Sequence, residues 1–415
     1  MTDRYPLRRL NGPEFEAWAR MTAGVYGQDW REDGLRDARF TLELDRTLVA
    51  FDEGAPIAGA AILTRSMTVP GTVLPVAGVT LVAVAPTHRR RGLLRSMMRE
   101  QLTGLHESAA EPVAALNASE AGIYGRFGYG VASYLARCRG EQRSMVFRDD
   151  VDRGPGRIRL LDRDEARTAI EKVYESVRPN AVGMLDRPAR FWDARLHDAE
   201  HVRHGATALR FAVHEEPDGI PTGYALYRLR PCWENGRDLS EVVVIESAAE
   251  TPRAYAAVWG FLVEIDGHFR ISFDGAVDEP LPHLLLDSRG LDSTVVDNLW
   301  VRLVDVDRAL VSRRYAGPVD VVLEVTDDFC PWNAGRFRLR SDGGEATCER
   351  TRATADLRLS VAELGAVFLG GTSMATLAAA GRVAELRAGA VAEATSAFRG
   401  VRAPFHPSGA AFPAF

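Results

Sequence analysis

The chain has 415 residues and almost no lysine: Lys172 is the only one, and arginine supplies the rest of the positive charge. No G-x-x-x-x-G-K-[ST] phosphate loop can exist without its lysine, and the G-x-G-x-x-G dinucleotide fingerprint is missing too. Cysteine is also scarce. Cys138, Cys232, Cys330 and Cys348 are far apart with no C-x-x-C pair, which argues against a zinc site and against a disulfide framework. No stretch approaches eighteen consecutive apolar residues, and the first ten residues contain no apolar signal core, so neither a membrane span nor secretion is expected and the cytoplasm is the default. A formal net charge of −6 disfavours general nucleic-acid binding and mildly favours cationic partners. With 46% hydrophobic and 26% charged residues the composition is that of a globular protein, and the length predicts two to four domains.

The stretch that organises the chain runs from Val76 to Arg99. Val79 to Val84 is β-branched and apolar, bounded by Pro75 and Pro86, and reads as a buried strand. Leu93, Leu94, Met97 and Met98 then recur at helical spacing, and Arg89-Arg90-Arg91-Gly92 forms the turn between the two elements. A strand that delivers a basic, glycine-containing turn onto a helix N-terminus makes an anion site. Unpaired backbone N–H groups and the positive helix end face the ligand, and guanidinium groups surround it.

A second motif follows. Val113 to Leu116 reads as a short buried strand, and Asn117 to Gly130 spells N-A-S-E-A-G-I-Y-G-R-F-G-Y-G. The turn Arg89-x-x-Gly92-x-Leu94 resembles the acyl-CoA pyrophosphate loop [QR]-x-x-G-x-[GA] of the GNAT acetyltransferases, departing from it at Leu94. Together with I-Y-G-R-F-G-Y-G it closely resembles the Eis (enhanced intracellular survival) acetyltransferases, multi-domain GNAT enzymes that acetylate amines, including several amines of one aminoglycoside.

The resemblance implies an α+β fold of two GNAT-like domains in tandem followed by a sterol-carrier-protein-like α+β domain. The expected boundaries are 1–146, 147–299 and 300–415. In the first domain, Val82, Ala83 and Val84 are expected to offer a strand edge to the pantetheine arm of acetyl-CoA. Arg89, Arg90, Arg91, Gly92, Leu93, Leu94 and Arg95 would hold its pyrophosphate, and Ser119 and Glu120 would line the same molecule. In the second domain, the place of P-T-H-R-R-R-G is taken by A-A-E-T-P-R-A, with no glycine, one arginine and Glu250 where a pyrophosphate would sit. A carboxylate there repels that ligand, so this domain is expected to wall the substrate pocket without binding CoA. Trp192 and Asp297 match residues that face the substrate in the family. Trp192 reads equally well as a core tryptophan on an amphipathic helix, and a lone aspartate such as Asp297 is more often a cap.

Tyr124 is the candidate general acid. A phenol near a thioester can donate a hydrogen bond or a proton to sulfur as it leaves, with ordinary pKa values of about 10 for tyrosine and about 8.5 for a thiol. The chain ends Gly-Ala-Ala-Phe-Pro-Ala-Phe415. By the resemblance, the α-carboxylate of Phe415 enters the active site and assists deprotonation of the amine. Some relatives carry an acidic residue before the terminal Phe where this chain has Ala414, which removes a negative charge from the expected pocket. The expected activity is acetyl-CoA-dependent N-acetylation of polycationic amines, aminoglycoside-like molecules or lysine side chains, by a homohexamer that needs no metal. A carrier of lipid or another hydrophobic ligand, built on the last domain with the acetyltransferase part vestigial, is the alternative. The intact R-R-R-G and I-Y-G-R-F-G-Y motifs speak against it. A third reading, an interaction scaffold, finds no positive feature.

Overall fold

The computed structural model describes residues 4–28 and 41–407. Three sheets carry the architecture. The first orders its seven strands β1-β2-β3-β4-β5-β16-β6, where β1 is Leu7–Arg8, β2 Thr47–Asp52, β3 Ala55–Val69, β4 Thr72–Val84, β5 Val113–Asn117, β6 Gly130–Val131 and β16 Leu299–Leu303. The second is also seven-stranded, β15-β7-β14-β13-β10-β9-β8, built from Leu291–Asp297, Tyr134–Glu141, Arg270–Gly275, Glu241–Ala249, Pro221–Arg230, Arg210–Glu215 and Arg157–Leu161 in that order. The third contains β19-β18-β17-β20-β21, that is Ala346–Arg350, Gly335–Asp342, Pro318–Thr326, Leu357–Ser360 and Ala384–Glu385.

Two strands near the boundaries expected at 146 and 299 join a sheet other than that of the neighbouring chain. Strand β7 leaves the first unit and pairs antiparallel with β14 and β15 in the second sheet. Strand β16 follows the second unit and enters the first sheet between β5 and β6. The chain crosses itself at this exchange, where Ala132 N–H donates to Leu299 O at 2.9 Å and Asn298 N–H donates to Ser133 O at 3.0 Å. Each unit therefore completes the other's sheet, and shearing one against the other breaks ladder hydrogen bonds as well as side-chain packing.

The third unit is seated on the first by two glycines. A Cβ on Gly130 would lie 1.9 Å from Ala362 O, and one on Gly365 would lie 2.2 Å from Val301 O. The helix Val361–Val367 thus lies directly on the backbone of β6 and β16. One large apolar cluster consequently runs from β3, β4 and β5 through Trp300 and Val301 to Leu323, Leu364 and Phe398.

The short 3-10 turn Gly12–Glu14 leads into the helix Phe15–Val25. After the helix Met374–Ala379, Gly381 adopts φ 72° and Ala384–Glu385 pairs with β20 as an edge strand. A left-handed residue stops a right-handed helix. Among the described residues the last helix is Ala390–Phe398.

Candidate active site

The site is built on β4. Along most of its length β4 pairs antiparallel with β3, but the register slips between Gly59 and Ala61, so that Leu81 and Val82 together oppose Ala60. Leu81 has φ 52°, the mark of a β-bulge held in a conformation unfavourable for a leucine. On its other side β4 pairs in parallel with β5 only through Val76, Ala77 and Gly78. Beyond Gly78 the two strands part, leaving the backbone edge from Val79 to Val84 without a strand partner among the described residues. An extended chain of amides can hydrogen-bond to such an edge as an extra strand.

The turn that follows has the geometry of an anion cradle. Arg90 (φ 63°) and Gly92 (φ 86°) are both left-handed, and apart from its own chain neighbours no described residue comes within 4 Å of the place a Gly92 Cβ would occupy. The helix Leu93–Ser108 makes its first backbone hydrogen bond from Ser96 N–H to Gly92 O, so the amide hydrogens before Ser96 have no helical acceptor and face the turn's opening. Arg89 and Arg90 are exposed. Arg91 is committed to the protein, donating to the Tyr5 hydroxyl at 2.8 Å and to Thr87 O at 3.1 Å, and so shapes the turn. Arg95 sits 5.3 Å from the Phe329 ring centroid, on the third unit. The side chains of Leu93 and Leu94 pack inward, so these residues can serve an anion only through their N–H groups. The free strand edge, the unencumbered turn and the free helix end together fit a pantetheine pyrophosphate.

Tyr124 ends the short helix Ala121–Tyr124 and is buried, its ring edge-on to Tyr129 at 5.9 Å. Burial raises its phenol well above the ordinary tyrosine value, and the neighbouring Tyr26 and Glu120 push the same way. Ser119 and Glu120 are exposed at the start of that helix. Tyr26, which the sequence did not single out, donates its hydroxyl to Val82 O at 3.1 Å and so caps the bulge. It follows directly on the helix Phe15–Val25, and only the fold brings it to β4.

Trp192 belongs to the core of the second unit, edge-on to Tyr174 at 5.3 Å with the Arg187 guanidinium 4.3 Å from its ring centroid. Arg187 in turn forms a buried pair with Glu246 at 2.9 Å, joined by Arg195 at 3.1 Å. Burial alone would raise the Glu246 carboxyl, but Arg187 and Arg195 overcome it and hold the group down at about 2. Asp297 stands at the strand crossing and accepts from Trp300 Nε1 at 2.7 Å. Phe415 lies outside the described residues.

The approach to the chain end can nevertheless be followed as far as Pro407. Arg402 pairs with Asp278, Phe405 N–H donates to Val182 O at 2.9 Å, and His406 O accepts from Asn298 Nδ2 at 2.9 Å. Asn298 O in turn accepts from Asn117 Nδ2 at 2.8 Å, at the end of β5. Asn117 opens the N-A-S-E motif, but its pairing with Asn298 is set by the strand crossing. Among the described residues no cluster of three or more metal-ligating side chains occurs, and no helix is long and apolar enough to cross a membrane.

A bulged, splayed strand delivering a basic turn onto a helix start defines a GNAT acyltransferase. Residues 6–132 and 183–303 each match an acetyltransferase (GNAT) domain family, and residues 306–407 match the sterol carrier protein domain. The chain is 44% identical over 410 residues to an uncharacterized N-acetyltransferase of Streptomyces avermitilis, covering 97% of this chain and 99% of the other. It is 40% identical over 342 residues to the N-acetyltransferase Eis of Mycobacterium tuberculosis, covering 80% of each. The crystal structure of Eis1 from Mycobacterium abscessus superposes with a TM-score of 0.83 at 34% identity, over 97% of this chain and 99% of that one. The chain belongs to the Eis family of GNAT N-acetyltransferases.

Proposed function

We propose that the protein transfers the acetyl group of acetyl-CoA to primary amines of polycationic small molecules, aminoglycoside-like polyamines first and lysine side chains second. The observation that carries this reading is the edge of β4 from Val79 to Val84, which has no strand partner among the described residues and only the Tyr26 hydroxyl on Val82 O, with the basic turn at its end and the buried phenol of Tyr124 close by. Acetyl-CoA supplies the activated thioester. The edge at Val82, Ala83 and Val84 would align the pantetheine arm, while Arg89, Arg90 and the N–H groups from Gly92 to Arg95 would hold the pyrophosphate. Kept protonated by burial, Tyr124 donates a hydrogen bond towards the departing sulfur.

The α-carboxylate of Phe415 is the proposed partner of the incoming ammonium. Eight residues follow Pro407, the last residue of the anchored segment. Extended, they span up to about 27 Å, enough to cover a wide approach from Asn298 to the thioester. A carboxylate of ordinary pKa near 3.5 is a weak base, so its main contribution is to attract and place the cation. Assembly as a homohexamer is carried by the family resemblance, and sedimentation of the purified protein reads the subunit number. Thiol release from acetyl-CoA with kanamycin-like amines tests the function. Amine-dependent release supports it, whereas release no higher than background together with stoichiometric binding of a fluorescent lipid returns the carrier reading.

A further inference from the structure

The second unit keeps the splay but not the cradle. Its strand β13 slips register against β10, with Ile245 as the extra residue between Val244 and Glu246, and pairs with β14 only from Glu241 to Val244. Beyond Val244 the strands part around a cavity of about 800 Å³, walled by all three units through residues such as Val69, Ile245, Tyr255, Tyr315 and Phe405. That volume lies within the range of small-molecule pockets. A phosphate is not its guest. The helix beyond begins with Pro252, which has no N–H, and Thr251 Oγ1 already accepts from Ala254 N–H at 3.1 Å. Glu250 stands at the same end.

One end of the cavity is aromatic and acidic. Trp259 lies 4.4 Å from Phe273 and 6.1 Å from Tyr255, centroid to centroid, and all three rings line the cavity together with Glu279. Among the described residues the indole N–H of Trp259 has no hydrogen-bond partner. Glu279 accepts from the Tyr255 hydroxyl and from Ala276 N–H at 3.2 Å, and no arginine among the described residues is hydrogen-bonded to it. Burial raises its carboxyl above the usual carboxylate range, with Asp278 adding to the rise and Tyr255, Ala276 and Arg402 opposing it. The charged and titratable groups around Glu279 are Asp274 on β14, Asp278, Arg402 on the C-terminal segment, Tyr255 on the helix and the Cys138 thiol on β7. Arg402 is engaged by Asp278, so the acids of this end outnumber its cations. A carboxyl removed from water with no cation hydrogen-bonded to it among the described residues, beside three aromatic rings, complements a cation whose own hydration is weak.

We propose that this cavity is a second small-molecule site, taking an alkylated ammonium ion on an apolar body, with Glu279 as its counter-charge and Tyr255, Trp259 and Phe273 as its aromatic wall. Occupation stabilises the ionised carboxylate, so binding releases a proton below the empty site's titration range and strengthens as pH rises through it. The test is calorimetric titration of the full-length protein with benzyltrimethylammonium, with and without saturating CoA, and with benzyl alcohol as the uncharged analogue. One saturable site per chain is expected, unmoved by CoA, at least tenfold tighter for the cation than for the alcohol, and at least tenfold weaker in Glu279→Gln. No binding, displacement by CoA, equal affinity for benzyl alcohol or an unchanged Kd in a folded Glu279→Gln protein overturns the proposal. The wild-type arms decide it without the variant. None of them reads acetyl transfer, so failure here and failure of the acetyltransferase reading are separate results.

Discussion

The two GNAT-like units share a bulged strand that parts from its parallel neighbour, at Leu81 and Val82 in one and at Ile245 in the other. They differ in the few residues that come next. In the first, Arg89-Arg90-Arg91-Gly92 opens a helix whose leading N–H groups have no helical acceptor. In the second, Glu250-Thr251-Pro252 brings a carboxylate, an internal cap and a residue without an N–H. A splayed sheet is therefore common architecture in this molecule, and the chemistry of the turn decides whether it can hold a pyrophosphate.

The largest expected effect concerns the phenol beside the first cleft. Tyr124→Phe should lower kcat by about 10²-fold or more while CoA affinity in calorimetry stays unchanged. An unchanged kcat removes Tyr124 from the chemistry. Because burial raises its pKa, the wild-type pH–rate profile should show no loss from phenol ionisation below about pH 10, the ordinary tyrosine value. A fall centred near pH 9 that disappears in Tyr124→Phe would contradict that.

Next comes a swap of turns. Arg90→Glu gives the first turn the acidic character of the second and should weaken CoA binding by about 10- to 100-fold at low salt, less at high salt. The reciprocal Glu250→Arg should create no CoA site, since Pro252 still lacks a donor and Thr251 still occupies Ala254 N–H. Detectable CoA binding in the second unit of that variant would break the comparison. Gly92→Ala should act more gently, raising the KM for acetyl-CoA and costing about 1 kcal/mol of stability in denaturant titration, because a Cβ disfavours φ 86° without clashing.

The smallest effect lies where the C-terminal segment passes over the second unit. His406 is buried, and burial, followed by the charges of Arg65 and Arg187, lowers its pKa to about 3. The unfolded chain takes up this proton near the ordinary histidine value of about 6.5 and the folded protein does not. Its contribution to stability is thus complete above about pH 6.5 and is lost as pH falls towards 3. Thermal melts from pH 7 to pH 5 should show a shallower acid decline in His406→Gln than in wild type. Parallel slopes would show that another group controls the acid limb.

The first cleft was legible because its signals are local: a β-branched run between prolines, a basic turn with glycine, apolar residues at helical spacing, and Tyr124 within a dense motif. The expectation that the second unit lacks the cradle came from equally local signals, the missing glycine, the single arginine and Glu250, while the part played by Pro252 emerged from the helix start. The strand exchange was not legible, since β7 and β16 have the alternation of ordinary strands and only long-range pairing chooses their sheet. Tyr26 capping Val82 O and Asn298 holding His406 O are contacts across 56 and 108 residues, made by side chains unremarkable in sequence. Trp192 had two readings, and its contacts with Tyr174 and Arg187 place it in a packed core.

The central claim is that only the first turn holds the cofactor, and its most direct test is the stoichiometry of CoA binding to the full-length protein by calorimetry. One equivalent per chain, weakened about 10- to 100-fold in Arg90→Glu and unchanged in Glu250→Arg, is the predicted result. Two equivalents, or one that survives Arg90→Glu unchanged, would contradict it.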